Sequence, residues 1–159
     1  MQMLKTTKEF DFVYKNSYKF RNEMLDICVL KPSLMPQFYE KFKRTQDNLV
    51  GFSISKKVGI AVERNLIKRR LRAICREFFG ESLTQKMQHT NIKGDSADFT
   101  KLICIFIAKS QIKQMPFIAL KNAIFATLKR QLEFKKESKK HIWQTRHTCS
   151  VKNDKKADK

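Results

Sequence analysis

The chain has 159 residues, and its 34 Lys and Arg residues outnumber its 15 Asp and Glu residues, giving a formal net charge of +19 at pH 7. This length suits one domain, and a hydrophobic content of 42% with 13 Phe residues supplies a packed core, which argues against a wholly disordered chain. Such a cationic surface repels itself unless a polyanion neutralises it, so nucleic acid is the first expected partner and an anionic membrane the second.

Further features disfavour membrane, secreted and metal-bound classes. No stretch approaches the roughly 18 consecutive apolar residues of a membrane-spanning helix, and residues 1–8 lack the apolar run of a secretory signal. We therefore expect a cytoplasmic protein with no membrane partner and with reduced thiols. The cysteines lack the paired spacing of a zinc site or a disulfide framework, since they lie far apart at Cys28, Cys75, Cys104 and Cys149.

In the first half of the chain, the spacing of apolar residues predicts a short amphipathic helix over residues 7–16. Residues 24–30 are rich in β-formers and stop before Pro32, which predicts a strand. Residues 34–47 show no clean period and are interpreted as a connection. Apolar residues alternate with small ones over residues 50–54, as in a half-buried strand. The two strands together suggest an antiparallel pair.

In the second half, a helix is predicted over residues 61–79, with Gly80 in the position that commonly follows a helix end. The polar stretch over residues 81–100 predicts a mobile loop. The apolar run over residues 102–108 is typical of a strand buried on both faces. Pro116 suits the first position of a last helix.

The predicted element order, α-β-β-α-β-α, indicates an α+β protein with a mixed sheet packed against helices, in one domain over residues 1–134. Residues 135–159 hold nine Lys or Arg and three Asp or Glu with few core residues, which predicts a disordered basic tail. A lipid anchor in this tail would be weak because Trp143 is its one large aromatic residue.

The most informative segment is the predicted helix that begins near Ala61. At about 100° per residue, one apolar arc faces the core and a row of like charges runs beside it. Like charges four residues apart destabilise a helix by a few tenths of a kcal/mol per pair, so the row indicates a surface for phosphates. The alternative is a solvated face of a generally basic protein, and charge alone does not decide between them. The arc contains Ile67, Leu71, Ile74 and Phe78, and the row contains Arg64, Lys68, Arg72 and Arg76.

This segment resembles the signature of the bacterial ribonuclease P protein subunit, in which a strand ending in Ser-x-Lys-Lys precedes Gly-x-Ala-Val-x-Arg-Asn-Arg-x-Lys-Arg. Leu66 replaces the second arginine of the Arg-Asn-Arg core, and Ile60 fills a position that is often polar. Leu66 removes a cation, and Arg70 is a candidate to take over the lost contact. Ten residues match the signature in order: Ser55, Lys56, Lys57, Gly59, Ala61, Val62, Arg64, Asn65, Lys68 and Arg69.

The resemblance extends over residues 4–134, except the longer connection at 81–100. It implies an α/β sandwich with a left-handed βαβ crossover. It also implies the protein subunit of a ribonucleoprotein that removes the 5′ leader from precursor tRNA. The catalytic RNA subunit would hold the Mg²⁺ ions, and the protein would contain no catalytic residue, no metal ligand and no small-molecule site.

The resemblance also suggests roles for side chains. Phe10 and Tyr14, one turn apart on the first helix, would line a cleft and stack on the unpaired leader. Ordinary core packing is the alternative for both rings. Phosphate contacts near this cleft are expected from Lys5, Lys8 and Lys15. Docking of the RNA subunit is expected from Lys56, Lys57, Arg64, Asn65, Lys68, Arg69 and Arg72.

Two other functions stay open on the sequence. A ribosomal or general RNA-binding protein of the same fold would need no ribozyme partner. A self-sufficient nuclease would need several convergent carboxylates around metal ions about 4 Å apart. The acidic residues that lie close along the chain are Glu9 with Asp11 and Asp95 with Asp98, and neither spacing predicts such a centre.

Overall fold

A computed structural model describes residues 1–45, 47–89 and 101–130, with side chains described outside residues 81–89. Within these ranges the strands are β1 (Gln2–Met3), β2 (Ser17–Arg21), β3 (Leu25–Leu30), β4 (Leu49–Ile54) and β5 (Ile103–Ala108). The helices are α1 (Thr7–Lys15), α2 (Met35–Lys41), α3 (Ala61–His89) and α4 (residues 117–130). This mixed composition confirms the α+β class.

The strands form one mixed sheet in the order β1-β4-β5-β3-β2. β5 lies between β3 and β4, so the predicted antiparallel pairing of those two strands is wrong. Ile105 pairs with Gly51 of β4 in parallel and with Cys28 of β3 in antiparallel orientation. The reason is that the apolar run of β5 is buried on both faces and fills the centre of the sheet. β4, α3 and β5 form a βαβ unit, and the left hand of that crossover stays a prediction.

Helices cover both faces of the sheet. On one face α3 and α4 pack on Val29 of β3, Val50 of β4 and Phe106 of β5, together with further residues of these strands. On the other face α1 and α2 pack on a second cluster that contains Cys28 and Ile105. The sheet therefore separates two surfaces of the molecule, one bordered by α3 and the other by α1.

The predicted helix at residues 7–16 is confirmed, with Thr6 and Glu9 forming a capping box at its start. The predicted helix end at Gly80 is wrong. The helical backbone of α3 continues to His89, so residues 81–89, expected as a loop, are helical. Gly80 keeps a helical backbone, and the helix-forming residues that follow it extend α3. The rest of the predicted loop and the basic tail lie outside the described residues.

The predicted connection over residues 34–47 contains a helix instead. In α2, Met35, Phe38 and Tyr39 are buried, and their three- and four-residue steps are the helical signal that the nearby prolines obscured. β2 was also not predicted, because its side chains are exposed or half-buried and its polar residues give no strong strand signal. β1 has two residues, too few for a period.

Candidate nucleic-acid interface

The residues that match the family signature begin at Ser55, directly after β4. Gly59 within this segment leaves room for a side chain of α3. A Cβ atom on Gly59 would overlap the carboxylate of Glu63, so glycine is required for that side chain to fold back. Oε2 of Glu63 accepts a hydrogen bond from the Ile60 amide at 3.0 Å, and Lys113 Nζ lies 3.3 Å from Oε1. The Ile60 hydrogen bond, followed by Lys113, lowers the pKa of Glu63. Glu63 therefore fixes the first turn of α3 to the residues that follow β4 and to Lys113 after β5.

The predicted apolar arc of α3 is confirmed, since Ile67, Leu71, Ile74 and Phe78 are all buried. The predicted cationic row runs beside this arc and is half-buried at Arg64, Lys68 and Arg72. Within the described ranges, no carboxylate pairs with any member of the row or of its exposed neighbours. These side chains form an unneutralised cationic surface, the docking surface, made of Lys56, Lys57, Arg64, Asn65, Lys68, Arg69, Arg72 and Arg76.

Arg70 lies on the opposite flank of α3 and does not join the docking surface. Its guanidinium donates a hydrogen bond to the carbonyl of Met115, just before α4. On the same flank Glu77 pairs with Lys121 of α4. Arg70 is therefore held against α4, and its expected replacement of the cation lost at Leu66 stays a prediction. Leu66 itself is 55% exposed, three residues before Arg69 of the docking surface and four residues before Arg70.

Phe10 and Tyr14 lie on one side of α1, with ring centroids 6.3 Å apart. Both rings are half-buried at the margin of the second cluster, whereas Val13 between them is fully buried. The Phe10 ring lies against the backbone of β4, because a Cβ atom on Gly51 would come within 2.8 Å of two of its ring carbons. The two rings thus border the open part of the sheet face, as cleft-lining side chains must.

Strand register determines which residues lie on the face of the sheet that α1 covers in part. Residues paired across strands share a face, so Asp26, Ile107 and Ser53 form one row, with Arg21 at its β2 end. Asp26, Ile107 and Ser53 are half-buried and Arg21 is exposed. This row and the Phe10 and Tyr14 rings belong to the same face of the sheet, and we refer to them together as the candidate cleft, or the cleft. Lys15 is exposed in the last turn of α1.

Lys109 adds a cation to the rim of the cleft. Its Nζ lies 2.6 Å from Oδ1 of Asp26 and donates to the carbonyl of Asn22 at 2.7 Å. Sequence reasoning did not single out Gly51, Asp26 or Lys109, since each belongs to the cleft only through strand register. The alternation of residues along β3 and β4 was the available signal, but it could not specify which strand lies between them.

The chemistry of the described residues gives no nuclease centre. Within those ranges, no three His, Cys, Asp or Glu residues cluster as metal ligands do. Burial raises the pKa of the Cys75 thiol to about 12 and raises that of Cys28 as well, so both thiols stay protonated. Glu9, half of one predicted acidic pair, is buried against Arg44. Asp95 and Asp98 lie outside the described ranges. In the same part of the chain, no helix is long and apolar enough to span a bilayer.

Comparison with known proteins agrees with this geometry. The family model described as Ribonuclease P matches residues 1–132. The ribonuclease P protein component of Helicobacter hepaticus is 30% identical over 145 residues, which cover 86% of this chain and 88% of that protein. That of Helicobacter acinonychis is 46% identical over 77 residues, covering 45% of this chain and 50% of that protein.

Two solved structures share the fold. The RNase P protein of Staphylococcus aureus is 24% identical with a TM-score of 0.53, covering 81% of this chain and 94% of that chain. The RNase P protein of Thermotoga maritima is 18% identical with a TM-score of 0.56, covering 82% and 97%. The ribosomal or general RNA-binding alternative finds no support in these comparisons. The chain therefore belongs to the ribonuclease P protein family, the RNA-binding protein component of bacterial tRNA processing.

Proposed function

We propose that this chain binds a catalytic RNA subunit and the 5′ leader of precursor tRNA at the same time, in the cytoplasm. The observation that carries the proposal is the placement of two different surfaces on opposite faces of one sheet. The docking surface on α3 lies on one face, and the cleft beside α1 lies on the other. Two RNA segments can therefore be held at once without competing for the same side chains.

The docking surface suits structured RNA. Its cations have no carboxylate partners among the described residues, so they are available to phosphates and release counterions when RNA binds. Asn65 is exposed on the same side of α3 and offers both a donor and an acceptor to a 2′-hydroxyl. The apolar arc under Ile67 and Leu71 fixes the helix to the sheet, which holds the cations in place.

The cleft suits a single strand of variable sequence. Stacking of a base on an aromatic ring contributes about 1–3 kcal/mol and does not depend strongly on the base. Phe10 and Tyr14 offer two such rings, and Arg21 lies at the β2 end of the adjoining row, where Lys109 pairs with Asp26. A leader that differs between precursors would be bound in this way without base-specific contacts, with Lys15 as a further phosphate contact.

The protein's contribution to cleavage is electrostatic and positional. In this proposal the RNA subunit carries the catalytic centre, and its Mg²⁺ ions supply the metal-bound water that hydrolyses the phosphodiester. The side chains of this protein hold substrate and RNA subunit together and reduce the repulsion between their phosphates. A lower Mg²⁺ concentration then suffices for folding and cleavage.

Reconstitution tests the proposal. The full chain is added to a bacterial ribonuclease P RNA and a precursor tRNA at low Mg²⁺, and leader removal is measured. We expect cleavage only when the RNA is present and a marked increase when the protein is added. Cleavage by the protein without RNA would contradict the assignment of the catalytic centre. Absence of stimulation at low Mg²⁺ would contradict the proposed function.

A further inference from the structure

An open groove of about 590 Å³ lies between the start of α1 and the end of α2, outside both surfaces described above. Three of its lining residues are lysines, two are threonines and none is acidic. The residues are Thr6, Thr7, Lys8, Lys41, Phe42 and Lys43, and we refer to this site as the lysine groove. The lysines and threonines offer ammonium and hydroxyl donors around the apolar ring of Phe42. Such donors suit the oxygens of a phosphodiester.

The lysines of this groove are free to bind an anion. Within the described ranges, none of the three has a carboxylate within ion-pair distance, unlike Lys109, Lys113 and Lys121 elsewhere. All three side chains are exposed at the surface. Their mutual repulsion is therefore relieved by solvent alone in this structure, and a bound polyanion would relieve it further.

The positions of the groove walls are fixed by buried contacts. Glu9 and Arg44 join the start of α1 to the turn after α2 through a hydrogen bond of 2.5 Å. The Arg44 amide also donates to the carbonyl of Tyr39 at 2.9 Å. Lys43, between these contacts, has a left-handed backbone with φ of 48°. A lysine in this left-handed conformation is held by its neighbours, so the backbone of the turn follows a defined course.

Lys41 is positioned in a second way. Its Nζ lies 5.4 Å from the ring centroid of Phe12 and 5.8 Å from that of Phe42. Cation–π contacts of this kind restrain a flexible ammonium group without neutralising it. The floor of the groove is thus apolar and its rim cationic, which fits a ribose-phosphate strand better than a small free ion.

The groove lies near the cleft but on the other flank of α1. On a helical wheel Lys8 and Phe12 share the side that faces α2, whereas Phe10 and Tyr14 share the opposite side. The expected phosphate contact of Lys8 near the cleft stays a prediction, but Lys8 lies on the side of α1 away from Phe10 and Tyr14. A helix with its side chains is about 10–12 Å wide. An RNA strand that leaves the cleft at Phe10 would therefore have to cross about this width, past the start of α1, to reach the lysine groove.

We infer that the lysine groove binds backbone phosphates of the precursor leader upstream of the part held in the cleft. This inference rests on the proposed function, because it takes the leader to lie along Phe10 and Tyr14. The groove would extend the leader site around α1 and add contacts only for leaders long enough to reach it. It would contribute nothing to docking of the RNA subunit, which lies on α3 across the sheet.

The test uses the full chain assembled with the RNA subunit and a series of precursors whose leaders lengthen one nucleotide at a time. The variant is Lys41→Gln with Lys43→Gln. Its matched control is Lys31→Gln with Lys129→Gln, which removes two exposed lysines that also lie over aromatic rings. Affinity for each precursor and for the isolated RNA subunit is measured against salt concentration.

We expect the groove variant to lose affinity only beyond a threshold leader length, by about fourfold per lost contact at 0.15 M salt, with a salt slope about 0.7 shallower per contact. Equal loss at every leader length, equal loss in the control, or weaker binding of the RNA subunit would each overturn the inference. Phe10→Ala separates the two proposals, since it must weaken binding at all leader lengths that reach the cleft. If the affinity of the wild-type protein does not depend on the presence of a leader at all, the proposed function itself is overturned.

Discussion

The carboxylate of Glu9 accepts a hydrogen bond from Nε of Arg44 at 2.5 Å, and Glu9 is only 2% exposed. The same carboxylate accepts the Lys5 and Thr6 amides at 2.6 and 2.8 Å. Burial alone would raise its pKa, but the hydrogen bonds from Arg44, Thr6 and Lys5 outweigh burial and lower the pKa from 4.5 to about 2. One side chain therefore caps α1, holds the turn after α2 and carries a buried charge.

This pair predicts a pH dependence of stability. The folded-state pKa lies below the unfolded one, so the stabilisation is fully present above about pH 4.5 and is lost as the pH falls towards 2. The full loss amounts to about 3 kcal/mol. Urea unfolding of wild type and Glu9→Gln between pH 7 and pH 3 measures it, and the difference between them should shrink as the pH falls. Glu40→Gln, at an exposed acid on α2, is the control, and a pH-independent difference would contradict the assignment.

Gly51 predicts a defect confined to the cleft. In Gly51→Ala, the new methyl group would come within 2.8 Å of the Phe10 ring and 3.0 Å of a Leu4 methyl, so the ring must shift from β4. We expect weaker binding of precursor tRNA, with affinity for mature tRNA and for the RNA subunit unchanged. Fluorescence titrations with each RNA measure the three affinities. A uniform loss would indicate general unfolding and would remove the evidence for Phe10 as a leader contact.

A second glycine, Gly80, predicts a gain in stability when it is replaced by alanine. It lies in the helical backbone of α3, and a Cβ atom there would meet nothing within 4 Å. Gly80→Ala should therefore stabilise the protein by about 1 kcal/mol through the helix propensity of alanine. Thermal unfolding followed by circular dichroism measures the change. Destabilisation would mean that Gly80 ends the helix with a left-handed backbone after all.

The docking surface predicts a change in salt dependence. Arg64→Gln with Lys68→Gln removes two unpaired cations from α3 and leaves the buried arc intact. Binding of the RNA subunit should weaken, and the log–log salt slope should become shallower by about 0.7–0.9 per lost phosphate contact. The Lys31→Gln and Lys129→Gln pair again controls for net charge. A slope that stays at the wild-type value would remove both residues from the interface.

The sequence predicted those parts of the molecule that local periodicity determines. The arc of Ile67 and Leu71, the helix α1 and the strand at β5 follow from spacing along a single segment. The cleft could not be predicted in this way, because Gly51 and Asp26 come to one face of the sheet only through the register of three strands. No pattern within one strand specifies that β5 lies between β3 and β4.

The lysine groove and the Glu9–Arg44 pair were beyond sequence reasoning for a related physical reason. Each joins α1 to the end of α2, a helix hidden by prolines in a segment that gave no clear period. The docking surface was predictable because its residues belong to one helix, and its ten-residue signature is ordered along the chain. Even there, the flank occupied by Arg70 depended on where α4 packs, which only the tertiary structure shows.

The last prediction concerns Leu66, where the family signature has an arginine. Leu66 is 55% exposed, and its neighbours one turn on are Arg69 of the docking surface and Arg70, so Leu66→Arg places a cation beside them without burying it. Arg70, four residues on, is hydrogen-bonded to the Met115 carbonyl. We expect tighter binding of the RNA subunit and a salt slope steeper by about 0.9 for one added phosphate contact, with unfolding unchanged. Ile118→Arg, on α4 away from the docking surface and 70% exposed, is the matched control. An equal gain in both variants would show that only net charge matters, whereas a gain confined to Leu66→Arg would identify position 66 as a weakened phosphate contact of this chain.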